Sequence, residues 1–233
     1  MNIYKPNSFE KIKSWTASKI KEKQSFRICG KGSRFESKVV SNIKKEPSEI
    51  LSLEDINSIR FFEPEDMVLG VESGMTLKKL QAILRGHKMY LPVNHWYPES
   101  CIGSVLACND FGPNRMNMGG IRDFIIGIEY INGSGQIVKA GGKVVKNVSG
   151  YDLSRMFIGS YGGLGIITSI NFKVVPLKIK AFSMVGVFEN QKWLSNVAEL
   201  HDQRIPLDWI EAASTNDSNW ILGLGYSGNM SFI

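Results

Sequence analysis

Residues Lys146 to Pro176 read KNVSGYDLSRMFIGSYGGLGIITSINFKVVP. Five glycines fall between Gly150 and Gly165. Inside a helix or strand each would cost up to about 1 kcal/mol relative to alanine. This half of the segment is therefore a chain of tight turns, or a place where backbone comes close to a ligand. From Leu164 the character changes. Ile166, Ile167, Thr168, Ile170, Val174 and Val175 are β-branched, and the run stops at Pro176, which predicts a strand. A glycine-dense turn feeding a strand, with Lys146 and Arg155 alongside, suits an anionic aromatic cofactor. Tyr151 and Asp152 read as structural, a hydroxyl and a carboxylate that fasten the turn.

Upstream, two further segments invite a ligand reading. Cys29-Gly30-Lys31-Gly32-Ser33 follows a short strand expected over Ser25 to Cys29. Glycines there let backbone N–H groups converge on an anion. The spacing is not that of a Walker A loop. Phe35 stands where a Rossmann loop has its third glycine. A plain turn and a phosphate cradle stay equally open. The second segment is Ser100 to Asn109, SCIGSVLACN, closing at Gly112-Pro113. It predicts a short helix with Gly103, Ser104 and Ala107 on one face. Those small residues admit a flat ligand or another helix equally well.

Around these segments the chain alternates. Phe9, Ile12, Trp15 and Ile20 recur at helical spacing among Lys11, Lys13, Lys19, Lys21 and Lys23, as in an amphipathic surface helix. Short strands are expected at Ile50 to Leu53, Ile59 to Phe62 and Met67 to Val71. A turn with its N-cap at Ser73 to Thr76 leads into a helix bearing Leu77, Leu80 and Leu84 on one face, stopped by Gly86. Phe124 to Ile131 and Gln136 to Ala140 flank Asn132-Gly133-Ser134-Gly135, a hairpin signal. Beyond Lys178 a strand at Phe182 to Val187, a helix at Gln191 to Leu200 and strands near Trp209 and Trp220 look like the start of another domain.

Composition narrows the classes. With 233 residues, 43% hydrophobic and 21% charged, the chain is long enough for a real core and has no disordered character. Its net charge of +6 sits entirely in the N-terminal quarter: 13 Lys and Arg against 7 Asp and Glu up to Arg60, then 15 against 15. No nucleic-acid recognition motif accompanies that excess, so a solvated basic face is expected and nucleic acid is not. Cys29, Cys101 and Cys108 form no CxxC pair, which predicts reduced thiols and no structural metal site. No stretch reaches the length of a membrane span and no apolar signal core opens the chain, so a cytoplasmic location is expected.

The stretch Lys146 to Pro176 resembles the C-terminal half of the FAD-binding domain of the FAD-linked oxidases, the vanillyl-alcohol oxidase or PCMH type. EDMVLGVESGMTL at Glu65 to Leu77, Leu91-Pro92-Val93, Cys101 to Gly112 and RDFIIG at Arg122 to Gly127 follow the family's order and spacing. The likeness covers roughly Phe26 to Pro176. GGKVVKNVSGYDLSRMFIGS is most similar to the small FAD-binding subunits of bacterial glycolate oxidases.

The resemblance implies an α+β, two-lobed PCMH-type domain over residues 1–178, with lobes of about 1–90 and 91–178. A partial, smaller α/β cap-like segment would follow at 179–233. It places Gly30, Lys31, Gly32 and Ser33, with Arg34 adjacent, around the FAD pyrophosphate. Pro92, Ile102, Gly103, Ser104, Ala107, Asn109 and Gly112 would follow along the phosphates and ring, and Gly165, Ile166 and Ile167 would offer backbone groups. Lys31 departs from the glycine common at that position. The loop holds no histidine for flavin attachment, so noncovalent FAD is expected.

The histidine-and-acid cluster of larger relatives has no counterpart among His87, His95 and His201. Of these only His95 is expected near the flavin, and the catalytic residues stay unassigned. The resemblance thus implies an oxidoreductase subunit of a glycolate or D-lactate (2-hydroxy acid) oxidase or dehydrogenase, active with a large flavin subunit and an iron-sulfur subunit. Such a complex would be cytoplasmic or peripheral to the inner membrane. The alternative is a non-catalytic assembly subunit that keeps the fold.

Overall fold

The computed structural model describes residues 2–32, 49–93, 97–143, 152–178, 181–214 and 219–227. Two sheets of different kinds organise the first 178 residues. The smaller is parallel, with β1 (Asn2–Tyr4), β3 (Glu49–Ser52) and β2 (Arg27–Cys29) in the order β1-β3-β2. Helix α1 (Phe9–Lys21) covers it. Ser8 caps the helix by accepting from Lys11 N, which satisfies one of the free N–H groups of the first turn. Ile12 buries completely among Leu51, Leu53 and Ile56. Trp15 stacks on Tyr4 at 5.3 Å and meets the edge of Phe26 at 4.8 Å. The apolar face of the helix thus meets the sheet, as its spacing predicts.

The larger sheet is antiparallel, in the order β4-β5-β9-β7-β8. Its strands are β4 (Ile59–Glu63), β5 (Val68–Glu72), β7 (Ile125–Ile131), β8 (Ile137–Gly141) and β9 (Ile166–Lys173). Helices α2 (Leu77–Gly86) and α3 (Ile102–Ala107) give Leu77, Leu80, Leu84, Ile102, Val105 and Leu106 to the main core. These pack with Leu69, Val71, Ile128, Ile170 and Phe172 of the sheet. Thr76 accepts from Lys79 N as the N-cap of α2. The 131–137 connection is the expected hairpin, tied by Asn132, whose side chain accepts from Ser134 N and Gln136 N.

One boundary differs from the sequence expectation. A division near residue 90 would cut the larger sheet, because β5 pairs with β9 from Val68↔Lys173 to Glu72↔Ser169. The change of sheet falls between Ser52 and Ile59 instead. Hydrophobic alternation marks a strand and its buried face but not its partner, and here the partner lies about a hundred residues away. Ile131 and Ile166 join the lobes by entering the smaller core beside Ile12 and Leu51.

Three one-turn helices lie between the strands: α4 (Arg115–Met118), α5 (Ile121–Phe124) and α6 (Leu153–Met156). Two-residue strands β6 (Met89–Tyr90) and β10 (Val175–Pro176) pair with each other. The tail has the expected elements: β11 (Ala181–Glu189), α7 (Trp193–Asp202), β12 (Trp209–Ser214) and β13 (Asn219–Ser227), in an antiparallel sheet of order β11-β13-β12. Among the described residues no helix is long and apolar enough to cross a membrane.

Candidate functional site

Four segments from both lobes meet at one junction. Residues 29–32 leave β2 and are anchored from below. Leu53 N donates to Cys29 O at 2.9 Å, and Ser52 Oγ donates to Gly30 O at 2.9 Å. The turn at 73–76 is fixed by Ser73 N to Thr168 O (2.9 Å) and Gly74 N to Ile56 O (2.8 Å). The start of α3 hangs on that turn: Ile102 N donates to Met75 O and Gly103 N to Ser73 O, both at 2.8 Å. Its end is met by the loop at 157–163, where Gly159 N donates to Leu106 O (3.2 Å) and Tyr161 N to Ala107 O (2.9 Å). Orphan carbonyls at the helix end are thereby satisfied.

The glycines make this convergence possible. A Cβ at Gly30 would lie 2.6 Å from Cys101 Sγ and 3.1 Å from Ser104 Oγ, and one at Gly103 would lie 2.7 Å from Ser73 Cβ. Both positions take glycine because protein backbone and side chain already fill the space. Gly32 has φ +77°, which L side chains rarely adopt. Ser104 thus faces the Gly30 loop.

The other expected positions sort by what their side chains do. Pro92 is buried in a segment that Gln81 of α2 clamps, its amide donating to Leu91 O at 2.6 Å. Ile166 and Ile167 commit their side chains to the smaller and the larger core, leaving backbone alone for a ligand. Gly165 approaches Ile131 O, 2.7 Å from where its Cβ would be. Asn109 ends α3 with φ 54° and is the one expected residue that also lines a pocket beyond that helix. Gly112 O accepts from Arg115 N at the start of α4. Ser33, Arg34, His95, Lys146 and Tyr151 lie outside the described residues. Asp152 accepts from Ser154 Oγ and pairs with Arg155 Nε at 2.8 Å, fastening the start of α6.

Charge at the junction is partly tied up. Lys31 Nζ and Lys78 Nζ reach Glu99 at 3.2 and 2.9 Å, and hydrogen bonds from Lys78 and then Lys31 hold that carboxyl below its ordinary range. Burial pushes the Cys29 thiol up to about 11 and raises Cys101 as well. Among the described residues none of the three cysteines forms a disulfide. His87 packs against the Phe62 ring at 4.9 Å, away from this junction, and His201 is exposed beside Asp202.

FAD asks for two things here, N–H donors for its phosphates and polar groups for its remaining oxygens and nitrogens. The hydroxyls of Ser73, Ser100 and Ser160 are buried and have no hydrogen-bond partner among the described residues. A buried unpartnered hydroxyl costs about 1–3 kcal/mol, which a bound polar molecule removes. With the glycine loop beside them, these residues fit FAD. In the sequence Ser73 and Ser160 are no more than members of a turn and a glycine run; nothing in residue spacing shows that both abut α3.

A family model described as an FAD binding domain matches residues 3–141, more than half of the chain. The chain belongs to the PCMH-type FAD binding domain family. It is 36% identical over 148 residues to glycolate oxidase subunit GlcE of Escherichia coli (strain K12), covering 63% of this chain and 42% of that protein. To glycolate oxidase subunit GlcD of Bacillus subtilis (strain 168) it is 33% identical over 142 residues, 60% of this chain and 30% of that one. A solved structure of alkyldihydroxyacetonephosphate synthase matches 99% of this chain and 47% of its own with a TM-score of 0.80. At 15% identity that match speaks for the fold alone. The PCMH-type domain spans less than half the length of these relatives.

Proposed function

We propose that this PCMH-type domain is the FAD-holding part of an oxidoreductase acting on a small 2-hydroxy acid such as glycolate or D-lactate, working with further subunits. The observation that carries the reading is the junction of residues 29–32, 73–76, 100–107 and 159–163, with its unpartnered buried serine hydroxyls. The names of the relatives supply the substrate class: two are glycolate oxidase subunits, and a D-lactate dehydrogenase of Anaerostipes hadrus is 31% identical over 141 residues. Bound FAD supplies an acceptor for the hydride of the substrate's carbinol carbon. The chain's part is to hold and orient: the Gly30–Gly32 loop gives backbone donors to the phosphates, and Ser73, Ser104 and Ser160 give hydroxyls. Catalytic groups for the substrate's hydroxyl proton are supplied by partners, a large flavin subunit and an iron-sulfur subunit being the expected ones.

Attachment is noncovalent. A thioether link would draw on a thiolate, and Cys29 at about 11 and the buried Cys101 stay protonated at neutral pH. Purified protein should be yellow, and acid precipitation should leave the flavin in the supernatant. FMN, lacking the second phosphate, should be retained far less well. Colour that stays with the pellet would overturn noncovalent binding, and a chain that takes up no FAD would favour a purely structural subunit. Stopped-flow mixing of the loaded chain with glycolate or D-lactate should bleach the flavin slowly, and faster once candidate partners are added. Rapid saturable bleaching of the lone chain would show that it completes its own active site.

A further inference from the structure

Beyond the end of α3 lies a pocket of about 420 Å³. Its described lining includes three arginines, Arg115, Arg122 and Arg155, and one acid, Asp123. Asp123 is already engaged by Gly120 N at 2.8 Å as the cap of α5. The three arginines come from three separate short helices, α4, α5 and α6. Nothing in the junction accounts for them.

Two of the three are held in a way that keeps their terminal nitrogens available. Arg115 lies over the Phe111 ring, with Cζ 4.1 Å from the centroid. Stacking occupies the face of a guanidinium and leaves its in-plane N–H groups for another partner. Arg155 is anchored through Nε to Asp152 at 2.8 Å, which leaves its two terminal nitrogens. Among the described residues neither Arg115 nor Arg122 forms an ion pair. Two cations at one pocket with no ion-pair partner among the described residues, Arg115 and Arg122, repel each other, and an oxyanion relieves that repulsion. Planar guanidinium forks match a carboxylate two bonds at a time, which makes such contacts both stronger and more oriented than neutral hydrogen bonds.

We infer that this pocket binds the carboxylate of a small organic acid, gripped by Arg115 and Arg122 and steered by Arg155, with Asn109 at its edge. The inference rests on the 2-hydroxy-acid reading above and deepens it. Asn109 ends α3, the helix whose start builds the cofactor junction, so the pocket adjoins that junction on the same element. The pocket's volume of about 420 Å³ has room for an acid of a few carbons.

The phosphates of the cofactor share this oxyanion chemistry, and the experiment separates the two sources. The full chain, both FAD-loaded and flavin-free, is titrated calorimetrically with oxalate in about 0.15 M salt. Oxalate carries carboxylates but no hydride to give. Saturable binding is expected in both forms. Arg115→Met and Arg122→Met should each weaken it at least tenfold, and Arg115→Lys, which keeps charge but loses the fork, should fall between. FAD content and thermal unfolding should not change in any of the three. Equal oxalate affinity in wild type and variants overturns the inference. So does inorganic phosphate binding more tightly than oxalate. FAD content falling in step with oxalate affinity overturns it too, by assigning the arginines to the cofactor. If the chain holds no FAD at all, the function proposed above fails while the flavin-free titration still reads the pocket.

Discussion

A methyl group at position 103 would sit 2.7 Å from Ser73 Cβ and 3.0 Å from Ser73 O. Real carbon atoms do not approach so closely, so α3 would have to move off the 73–76 turn. The sequence alone leaves open whether Gly103 makes room for a ligand or for another helix; the structure shows that a larger residue would strike Ser73 first. Overpacking of this kind costs about 1–3 kcal/mol. Gly103→Ala should lower the unfolding midpoint accordingly, and adding Ser73→Gly should restore most of the loss. A thermal double-mutant cycle reads the coupling, and strictly additive effects would show that the two positions do not touch.

Cys29 gives a second residue-scale prediction. Its thiol titrates near 11 in the fold, chiefly through burial, against an ordinary 9.0. Between those values the unfolded chain has released this proton and the folded chain has kept it. The contribution to stability is therefore fully present below pH 9 and is lost as pH rises through 11. Alkylation by iodoacetamide, which needs the thiolate, should be slow at Cys29 at pH 8 and rise steeply only above pH 10. Labelling of Cys29 at pH 8 as fast as that of a free thiol in solution would contradict the burial.

At the scale of elements, α1 is tied to the parallel sheet by one ion pair. Lys19 Nζ lies 2.6 Å from Glu49 of β3, with only 11% of its side chain exposed, and also bonds Gln24 Oε1 at 2.8 Å. Removing one partner of such a pair strands a half-desolvated charge, whereas replacing both with apolar groups does not. Glu49→Ala should thus cost about 1–3 kcal/mol, and Lys19→Met combined with Glu49→Leu should cost less than Glu49→Ala alone. Denaturant midpoints measure both.

Elements of this kind are legible wherever their evidence is local. The spacing of Ile12 and Trp15 marks α1, Leu77, Leu80 and Leu84 mark α2, and the Asn132–Gly135 turn marks the β7–β8 hairpin. Strand β1 is not legible, because three residues, Asn2–Tyr4, carry too short a pattern and its partner β3 begins at residue 49. The same holds at the site. Glycine density marks Gly30 and Gly103 as special, but the neighbours that require them, Cys101 and Ser73, are contacts across the fold. Arg115 carries no signal, and Arg122 enters only as the first residue of the RDFIIG likeness, since a charged residue in a turn reads as solvated until a pocket is found around it.

The whole molecule raises the question of what holds the tail to the FAD-binding lobes. Asp208, which precedes β12, has only 13% of its side chain exposed and receives three donors. Lys178 Nζ, from the end of the larger lobe, lies 2.6 Å away, Asn117 Nδ2 of α4 donates at 2.9 Å, and Ser227 Oγ closes the set from the end of β13. One carboxylate thus fastens the connecting chain, a helix of the lobe and the last described strand of the tail. Hydrogen bonds to a charged group contribute about 1.5–3 kcal/mol each, while the tail's own surface leaves Met184, Val185 and Val187 largely exposed. The tail therefore depends on this knot more than on apolar burial against the lobes. Asp208→Ala should let residues 181–227 open independently of the rest. Amide exchange in β12 and β13 should speed by about ten- to a hundredfold, the equivalent of about 1.4–3 kcal/mol, while amides of β7 and β9 keep their protection. Because α4 also carries Arg115, oxalate affinity should fall severalfold in the same variant. Exchange that rises equally in β9 and β13 would mean that the tail and the lobes unfold as one unit, and that Asp208 supports the whole molecule rather than the joint.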